Sequence, residues 1–305
     1  MFSCRHIFKG EQKVMKKSRS MLIAFITPAT LSFLLMFVYP VFRTICMSFF
    51  KVDSITQSVG EWEFNGLTNF IELWSNQTFL ISMLNIAKIW LVGGFVTLAL
   101  SLLYAVILTS GVRGKKFWRA VIYLPNIISA VALATMWVQY VFNKRYGLIT
   151  IFSDKNWLSS NMKFWAMLIA FIFGAVGYYM LIFLSGIERI PLDYYEAATI
   201  DGASRWKQFT HITMPLLKGV IKTNITFWSV NVLMFFVWSR MFSPLNSENS
   251  TITPVVYLYS IVFGERSSTF RDPGRAAAVG VSLAILMSTI FFICNKLIHE
   301  EDVEM

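Results

Sequence analysis

The sequence predicts an all-α, polytopic membrane protein with six transmembrane helices and a helix–turn–helix loop on the cytoplasmic side. Of its 305 residues, 56% are hydrophobic and only 14% are charged, whereas soluble domains carry about 25% charged residues. The apolar residues fall in blocks, and each block has the roughly 20 residues that a helix needs to cross a bilayer. One strongly polar stretch, residues 191–215, separates two of these blocks.

Six apolar blocks predict the spans, which are residues 21–47, 79–109, 119–142, 164–187, 216–238 and 276–298. The second block is long enough to tilt in the bilayer or to continue as a helix beyond it. Together the blocks predict one transmembrane domain over residues 21–298. A basic tail at residues 1–20 precedes it, and an acidic tail at residues 299–305 follows it.

The placement of Lys and Arg predicts the orientation of the spans. The N-terminal tail and the loop after the second span are rich in these residues, and short basic segments stay in the cytoplasm. With six spans, both termini and residues 191–215 then share the cytoplasmic side. The external loop at residues 143–163 departs from this bias, since it carries four Lys or Arg residues.

The sequence lacks the residue patterns that are typical of several function classes. The formal charge of +10 does not indicate nucleic-acid binding, because the cations flank apolar spans. The three cysteines and three histidines are too scattered for a disulfide framework or a metal site. No Gly-rich phosphate loop and no Ser-His-Asp or paired-carboxylate arrangement is evident. We therefore expect a non-catalytic chain without a nucleic-acid partner.

Residues 191–215 predict two short helices separated by a turn. Pro191 suits the first position of a helix, where its missing N–H would be unpaired anyway. Asp201-Gly202 is a turn signal, because glycine tolerates a positive φ. A second helix is expected over about residues 203–211.

The composition of this loop favours contact with a partner. Ala197 and Ala198 leave one side of the first helix almost without bulk, Glu196 beside them offers a charge, and aromatic residues nearby could serve as anchors. The alternative is a surface loop whose aromatic residues are incidental. Composition alone does not decide between the two.

The order of these residues resembles the EAA loop of ABC importer permeases. The residues that carry the resemblance are Glu196, Ala197, Ala198, Asp201, Gly202, Ala203, Phe209, Ile212, Met214, Pro215 and Leu216. The sequence is most similar to the binding-protein-dependent sugar permeases, the family of the maltose and glycerol-phosphate transporter subunits. The likeness extends to the basic tail and the six spans.

This resemblance implies that the loop docks into a groove on a separate ATPase subunit, with Glu196 and Gly202 as coupling positions. The full set of expected coupling residues is Glu196, Ala197, Ala198, Asp201, Gly202, Ala203 and Pro215. It also implies a second homologous permease, two ATPase subunits and an extracytoplasmic solute-binding protein in a bacterial cytoplasmic membrane. ATP and magnesium would be bound by the ATPase, so no cofactor is expected in this chain.

The fifth span contains a stripe that could line a path for a solute. Asn224, Trp228, Asn231 and Phe235 recur every three or four residues, which predicts one shared helix face. Amide groups and aromatic rings suit the hydroxyls and apolar faces of a sugar, and Tyr178 in the fourth span is a further candidate. The alternative is helix packing, with amides bonded between helices.

Two other function classes remain open from the residues. An ion-driven secondary transporter would need no ATPase, and such proteins often show inverted repeats and interrupted helices, which are not evident here. A membrane scaffold or sensor would only transmit a binding signal. A polar solute resembling glycerol phosphate is the alternative to a sugar.

Overall fold

The structure is a computed structural model that describes residues 19–265 and 270–297. Helices dominate it, and they contact one another directly with little strand between them. The predicted basic tail at residues 1–20 lies outside the described residues except for its last two. The predicted acidic tail at residues 299–305 lies wholly outside them.

The first span consists of two consecutive helices joined by a π turn. Helix α1 (Arg19–Phe33) passes through a π turn (Leu34–Val38) into α2 (Tyr39–Met47). The π turn precedes Pro40, which has no N–H for the regular helical hydrogen bond. No residue from 24 to 47 is buried, although α2 packs against the C-terminal helix, where Thr44 lies beside Gly280.

A small capping structure joins the first two spans. Strand β1 (Phe50–Lys51) pairs antiparallel with β2 (Glu63–Phe64), with a 3-10 turn (Val59–Glu61) between them. Helix α3 (Thr68–Ser75) follows. The buried side-chain amide of Asn69 donates to the carbonyl oxygens of residues 48 and 50 at 3.0 and 2.9 Å, which fixes α3 to this cap.

The second span is one long helix, as predicted. It consists of α4 (Gln77–Lys88), a π turn (Ile89–Gly93) and α5 (Gly94–Thr109). Its apolar length, Gln77–Thr109, exceeds what a bilayer needs.

The third span was predicted over 119–142 with a kink or a helix end at Pro125, and the structure does interrupt it, though a few residues later. Helix α6 (Lys115–Ile127) and the unit formed by α7 (Ala130–Met136) and a π turn (Trp137–Val141) meet at an angle of 96°. The break lies at Ser129, whose hydroxyl accepts a hydrogen bond from the Ala132 N–H and so caps the new helix. Residue 125, a proline, has already removed one hydrogen bond from the end of α6.

Helix α8 (Lys163–Ile187) is the centre of the fold. It follows a loop with a 3-10 turn (Leu148–Ile151), and it packs against α5, α6 and the later helix of the fifth span. Gly177 permits the closest of these approaches, since a Cβ there would collide with the Ile122 carbonyl oxygen.

The predicted fifth span over 216–238 is also interrupted. After α9 (Leu192–Ile200) and α10 (Arg205–Gln208), a π turn (Phe209–Thr213) leads to three helices. These are α11 (Met214–Leu216), α12 (Lys218–Leu233) and α13 (Val237–Phe242).

Tertiary contacts end α12 early. The hydroxyl of Thr253 donates to the Phe235 carbonyl at 2.6 Å, and the Phe235 ring lies edge-on to Phe171. These contacts hold residues 234–236 out of the helix. No glycine or proline there signals the break.

Two helices complete the described residues. The short apolar helix α14 (Pro254–Phe263) packs against α15 (Pro273–Leu297), which corresponds to the sixth predicted span. Among the described residues, four helices are long and apolar enough to cross a membrane, and the bent pair α6–α7 would make a fifth. The count of six therefore depends on the interrupted helices of the fifth block.

Candidate functional site

The polar stretch at residues 191–215, here called the polar loop, begins with a capped helix. Pro191 lies one position before α9 and not inside it, as its extended ψ of 138° shows. Helix α9 ends at Ile200, and Gly202 two residues later has a left-handed φ of 74°. The Ala203 N–H donates to the Ala198 carbonyl at 2.8 Å and the Gly202 N–H to the Thr199 carbonyl at 3.1 Å. This pair of hydrogen bonds is the Schellman ending, which favours glycine at the left-handed position.

One side chain holds the two short helices of the polar loop together. The amide of Gln208 donates to the Thr199 hydroxyl at 3.0 Å and to the Ala203 carbonyl at 3.2 Å. The Thr199 hydroxyl in turn donates to the Tyr195 carbonyl at 2.7 Å. The loop therefore has a defined shape set by its own residues.

The outer surface of the polar loop is exposed and partly apolar. Glu196, Ala197, Asp201, Gly202 and Pro215 are exposed, while Ala198 and Ala203 are half-buried. Large apolar side chains are exposed beside them; these are Leu192, Tyr194, Ile200 (87% exposed) and Trp206 (71% exposed). Exposed apolar side chains clustered in this way mark interaction surfaces.

The polar loop is anchored to the helices behind it at two points. The Tyr195 hydroxyl lies 2.9 Å from the Thr213 hydroxyl. Leu217 is fully buried, in an apolar cluster with residues of α5 and α8. Gly186 makes room for this contact, because a Cβ there would come within 2.9 Å of the Leu217 side chain.

A cavity of about 1140 Å³ opens between the polar loop and the ends of α5, α6 and α8. Its charged lining consists of Lys115, Glu188, Arg189 and Arg205. The polar loop thus presents one face away from the protein and another toward a polar space.

The predicted path residues do not form one exposed face. Trp228 is 1% exposed and Asn224 is fully buried, whereas Asn231 is exposed. Phe235 is buried and lies beyond the end of α12, so the predicted helical stripe stops short of it. Tyr178 is half-buried.

Trp228 packs between helices in this conformation. Its indole N–H donates to the Trp90 carbonyl at 3.0 Å, and its ring lies against Gly93 and Gly94. The Phe171 ring packs against it at a tilt of 36°, with ring centroids 5.4 Å apart. These contacts match the helix-packing alternative; the role of the stripe in a solute path stays a prediction.

Asn224 differs from its neighbours because its buried amide has no hydrogen-bond partner among the described residues. The hydroxyl of Thr97, also fully buried, shares this property. Asn224 is four residues before Trp228 and Thr97 is four residues after Gly93, so each lies about one helical turn from the contact of Trp228 with the glycine pair. Unpartnered buried polar groups are uncommon and often mark functional positions.

Sequence reasoning missed the contacts of the second span. The Asn85 amide donates to the carbonyl oxygens of Asn249 and Ile252 at 2.9 and 3.0 Å.

The sequence did contain a signal for the packing of Trp228, namely the Gly93-Gly94 pair inside an apolar span, where small residues permit close helix contact. Within the described residues, no group of His, Cys, Asp and Glu side chains could hold a metal ion.

Comparisons with known proteins agree with this geometry. The family model described as "binding-protein-dependent transport system inner membrane component" matches residues 18–300. The arabinooligosaccharides transport system permease of Bacillus subtilis is 29% identical over 283 residues, covering 90% of this chain and 87% of the relative. The diacetylchitobiose uptake system permease of Streptomyces coelicolor is 27% identical over 260 residues, covering 78% and 72%.

A solved structure shares the fold. A chain of a bacterial alginate ABC transporter, crystallised with a periplasmic protein that holds an alginate pentasaccharide, superposes with a TM-score of 0.75 at 18% identity. The superposition covers 92% of this chain and 94% of the other.

Proposed function

The chain belongs to the family of binding-protein-dependent transport system inner membrane components, and on that premise we propose that it forms half of the translocation path of an ATP-driven sugar importer. It is a multi-pass membrane permease. The observation that carries the coupling role is the exposed, internally braced polar loop, whose residues follow the EAA pattern.

The proposed arrangement crosses the membrane six times. The first, second, fourth and sixth crossings are the long apolar helices. The bent pair α6–α7 supplies the third, and α12 with α13 supplies the fifth. Backbone that leaves the helix inside a membrane must be satisfied by neighbouring protein, and the hydrogen bond from Thr253 to Phe235 is of this kind. Both termini and the polar loop then lie in the cytoplasm.

The polar loop docks on an ATPase subunit. Glu196 and Ala197 are exposed on α9, and Ile200 and Trp206 offer apolar anchors on either side of the turn. Gly202 keeps the turn in the one conformation that brings both short helices to the same surface. The ATPase, not this chain, binds ATP and magnesium.

The proposed cargo is a sugar or oligosaccharide. Support comes from the relatives, whose names specify arabinooligosaccharide and diacetylchitobiose permeases. A phosphorylated polyol such as glycerol 3-phosphate is the alternative. Asn224, Asn231 and Tyr178 remain the candidates for contact with the solute in a conformation that opens the spans.

The proposed assembly contains a second homologous permease, two ATPase subunits and an extracytoplasmic solute-binding protein. The alginate transporter of the same fold is crystallised with a periplasmic protein, which supports the last of these. ATP binding by the ATPase pair would draw the two polar loops together and reorient the path, so that two distant sites bias one two-state element.

The decisive experiment purifies the tagged chain from the cells that make it and reconstitutes what co-purifies into proteoliposomes. We expect an ATPase to co-purify and ATP to drive uptake of labelled maltose, arabino-oligosaccharide or diacetylchitobiose. Uptake that follows an imposed ion gradient without ATP would instead establish a secondary transporter. Uptake of glycerol 3-phosphate alone would reassign the cargo.

Glu196→Lys tests the coupling role. This exposed residue forms no ion pair within the described part of the chain, so we expect its replacement to leave the fold intact, but a reversed charge at the docking surface should abolish ATPase association and uptake. Glu61→Lys, an exposed charge reversal outside the polar loop, is the matched control. Undiminished uptake by the Glu196 variant would remove the loop from the coupling mechanism.

A further inference from the structure

Two tryptophans and a serine join the second span to helix α12 by reciprocal hydrogen bonds. The Trp228 indole N–H donates to the Trp90 carbonyl at 3.0 Å, and the Trp90 indole N–H donates to the Ser229 hydroxyl at 2.8 Å. The Ser229 hydroxyl donates its own proton to the Ile225 carbonyl at 2.8 Å, so its lone pair is free to accept from Trp90. We call Trp90, Trp228 and Ser229 the tryptophan joint.

Two members of the tryptophan joint, Trp228 and Ser229, are fully buried, and Trp90 is half-buried. A Cβ on Gly94 would lie 2.5 Å from the Trp228 indole nitrogen, and one on Gly93 would lie 3.2 Å from the ring. Phe171 and Tyr179 flank the ring with centroids 5.4 and 5.7 Å away. Because hydrogen bonds gain strength as water is removed from them, the two bonds of the joint tie α12 to the second span at this level.

One side of the joint leads to the polar loop. Helix α12 begins at Lys218, directly after the buried anchor Leu217. The Tyr195–Thr213 contact ties the first helix of the loop to the same segment. A displacement of the loop therefore reaches α12 through a short, packed connection.

The other side of the joint leads to the opposite end of the spans. Asn85, little more than one helical turn before Trp90, donates to the carbonyl oxygens of Asn249 and Ile252. These belong to residues 243–253, here called the distal segment, whose Glu248 forms an ion pair with Lys163 at 2.6 Å. Lys163 begins α8 and the polar loop follows the end of α8, so the two regions lie at opposite ends of one helix.

We propose that the tryptophan joint transmits movement of the polar loop to the distal segment, through α12 on one side and Asn85 on the other. Trp228 is then a positioning residue of the transport cycle and not a contact for the solute. The proposal rests on the proposed function, because it needs an ATPase to move the loop. The π turn at Ile89–Gly93 places Trp90 in a non-standard stretch of helix, and such turns occur often at functional sites.

The test uses labelling of the distal segment in the complete complex. Cys4, Cys46 and Cys294 are replaced by serine, and Leu245→Cys, at a side chain that is 61% exposed, introduces a thiol in the distal segment. The rate of modification by a membrane-impermeant maleimide is measured with and without magnesium ATP and vanadate. We expect ATP trapping to change this rate by roughly fivefold or more in the parent complex.

Three further variants open the joint. Trp228→Phe removes the indole donor, Ser229→Ala removes the acceptor for Trp90, and Gly94→Ala displaces the ring. The matched controls are Trp165→Phe on the exposed side of α8, Thr223→Ala on α12, whose hydroxyl bonds only its own helix, and Gly280→Ala, where a Cβ has 4.0 Å of room.

Complexes that contain a joint variant should still include the ATPase and hydrolyse ATP. The ATP-dependent change in the labelling rate at residue 245 should nevertheless fall below about twofold, while the control variants keep the response of the parent complex. An unchanged response in Ser229→Ala and Trp228→Phe overturns the proposal. So does a parent whose distal segment never responds although ATPase is bound. If Trp228→Phe fails to assemble, the result for Ser229→Ala, which loses a single hydroxyl, decides whether the proposal holds. Absence of ATPase from the parent itself would contradict the proposed function instead.

Discussion

The polar loop and the tryptophan joint are both held together by hydrogen bonds, one just before helix α12 and the other on it, but in opposite surroundings. The loop is braced by hydrogen bonds of its own backbone and of Gln208, with its apolar side chains left in the open. The joint buries the Trp228 ring, leaves the Trp90 ring half-buried, and satisfies the indole N–H groups of both across two helices. A change in the loop should therefore affect association more than folding, and a change in the joint should affect folding as well.

The largest expected effect is a difference in the free energy of unfolding between alanine substitutions of two tryptophans. Trp228→Ala removes a fully packed ring and should lower the free energy of unfolding by roughly 3–5 kcal/mol. Trp206→Ala, at a 71% exposed position in the polar loop, should change it by less than about 0.5 kcal/mol while weakening ATPase association. Denaturant titration in detergent measures the first quantity and co-purification the second. Equal losses of unfolding free energy in the two variants would contradict the proposed difference between the tryptophan joint and the polar loop.

A smaller effect is expected at the turn of the polar loop. Gly202→Ala forces a Cβ into a left-handed conformation, at a cost of roughly 1–2 kcal/mol. Because the strain is local, it should lower the population of the docking shape and weaken ATPase binding by about tenfold, with little change in overall unfolding. Gly202→Asn, which tolerates this conformation better, should bind more tightly than the alanine variant. If both bind like the parent, the turn does not set the docking surface.

The smallest effect concerns the brace between α9 and α10. Gln208→Ala removes two hydrogen bonds, worth about 0.5–1.5 kcal/mol each, in a segment that is largely solvated. Amide hydrogen exchange at Ala203 should accelerate several-fold, while exchange in α8 should not change. Lys207→Ala, an exposed neighbour, is the control. Equal exchange in the two variants would show that the backbone alone shapes the loop.

The polar loop was largely predictable because its structure depends on local chemistry. Asp201-Gly202 indicated the turn, and Gly202 is where the left-handed residue lies. Helix α9 occupies the expected residues Leu192–Ile200, and Pro191, expected as its first helical residue, lies one position before it. Such boundaries depend on the cap and not on the residue type alone.

The spans were less predictable because contacts distant in sequence shape them. The break after Leu233 follows from a hydrogen bond by Thr253 and from the packing of Phe235 on Phe171. The bend at Ser129 lies beyond the proline that suggested one. A polar-aromatic stripe also has the same residue spacing whether it lines a solute path or packs between helices. The burial of Trp228 could therefore not be predicted from its spacing.

The bare first span has a consequence for how the protein is made and kept in the cell. Residues 24–38 leave the ribosome before any later helix, and all of them are exposed, whereas α2 after them packs against α15. This first part of the span must therefore persist in the bilayer on its own backbone hydrogen bonds and lipid contacts. A copy without assembly partners leaves that helix uncovered to membrane proteases, so the lifetime of the chain should rise with the supply of whatever covers it.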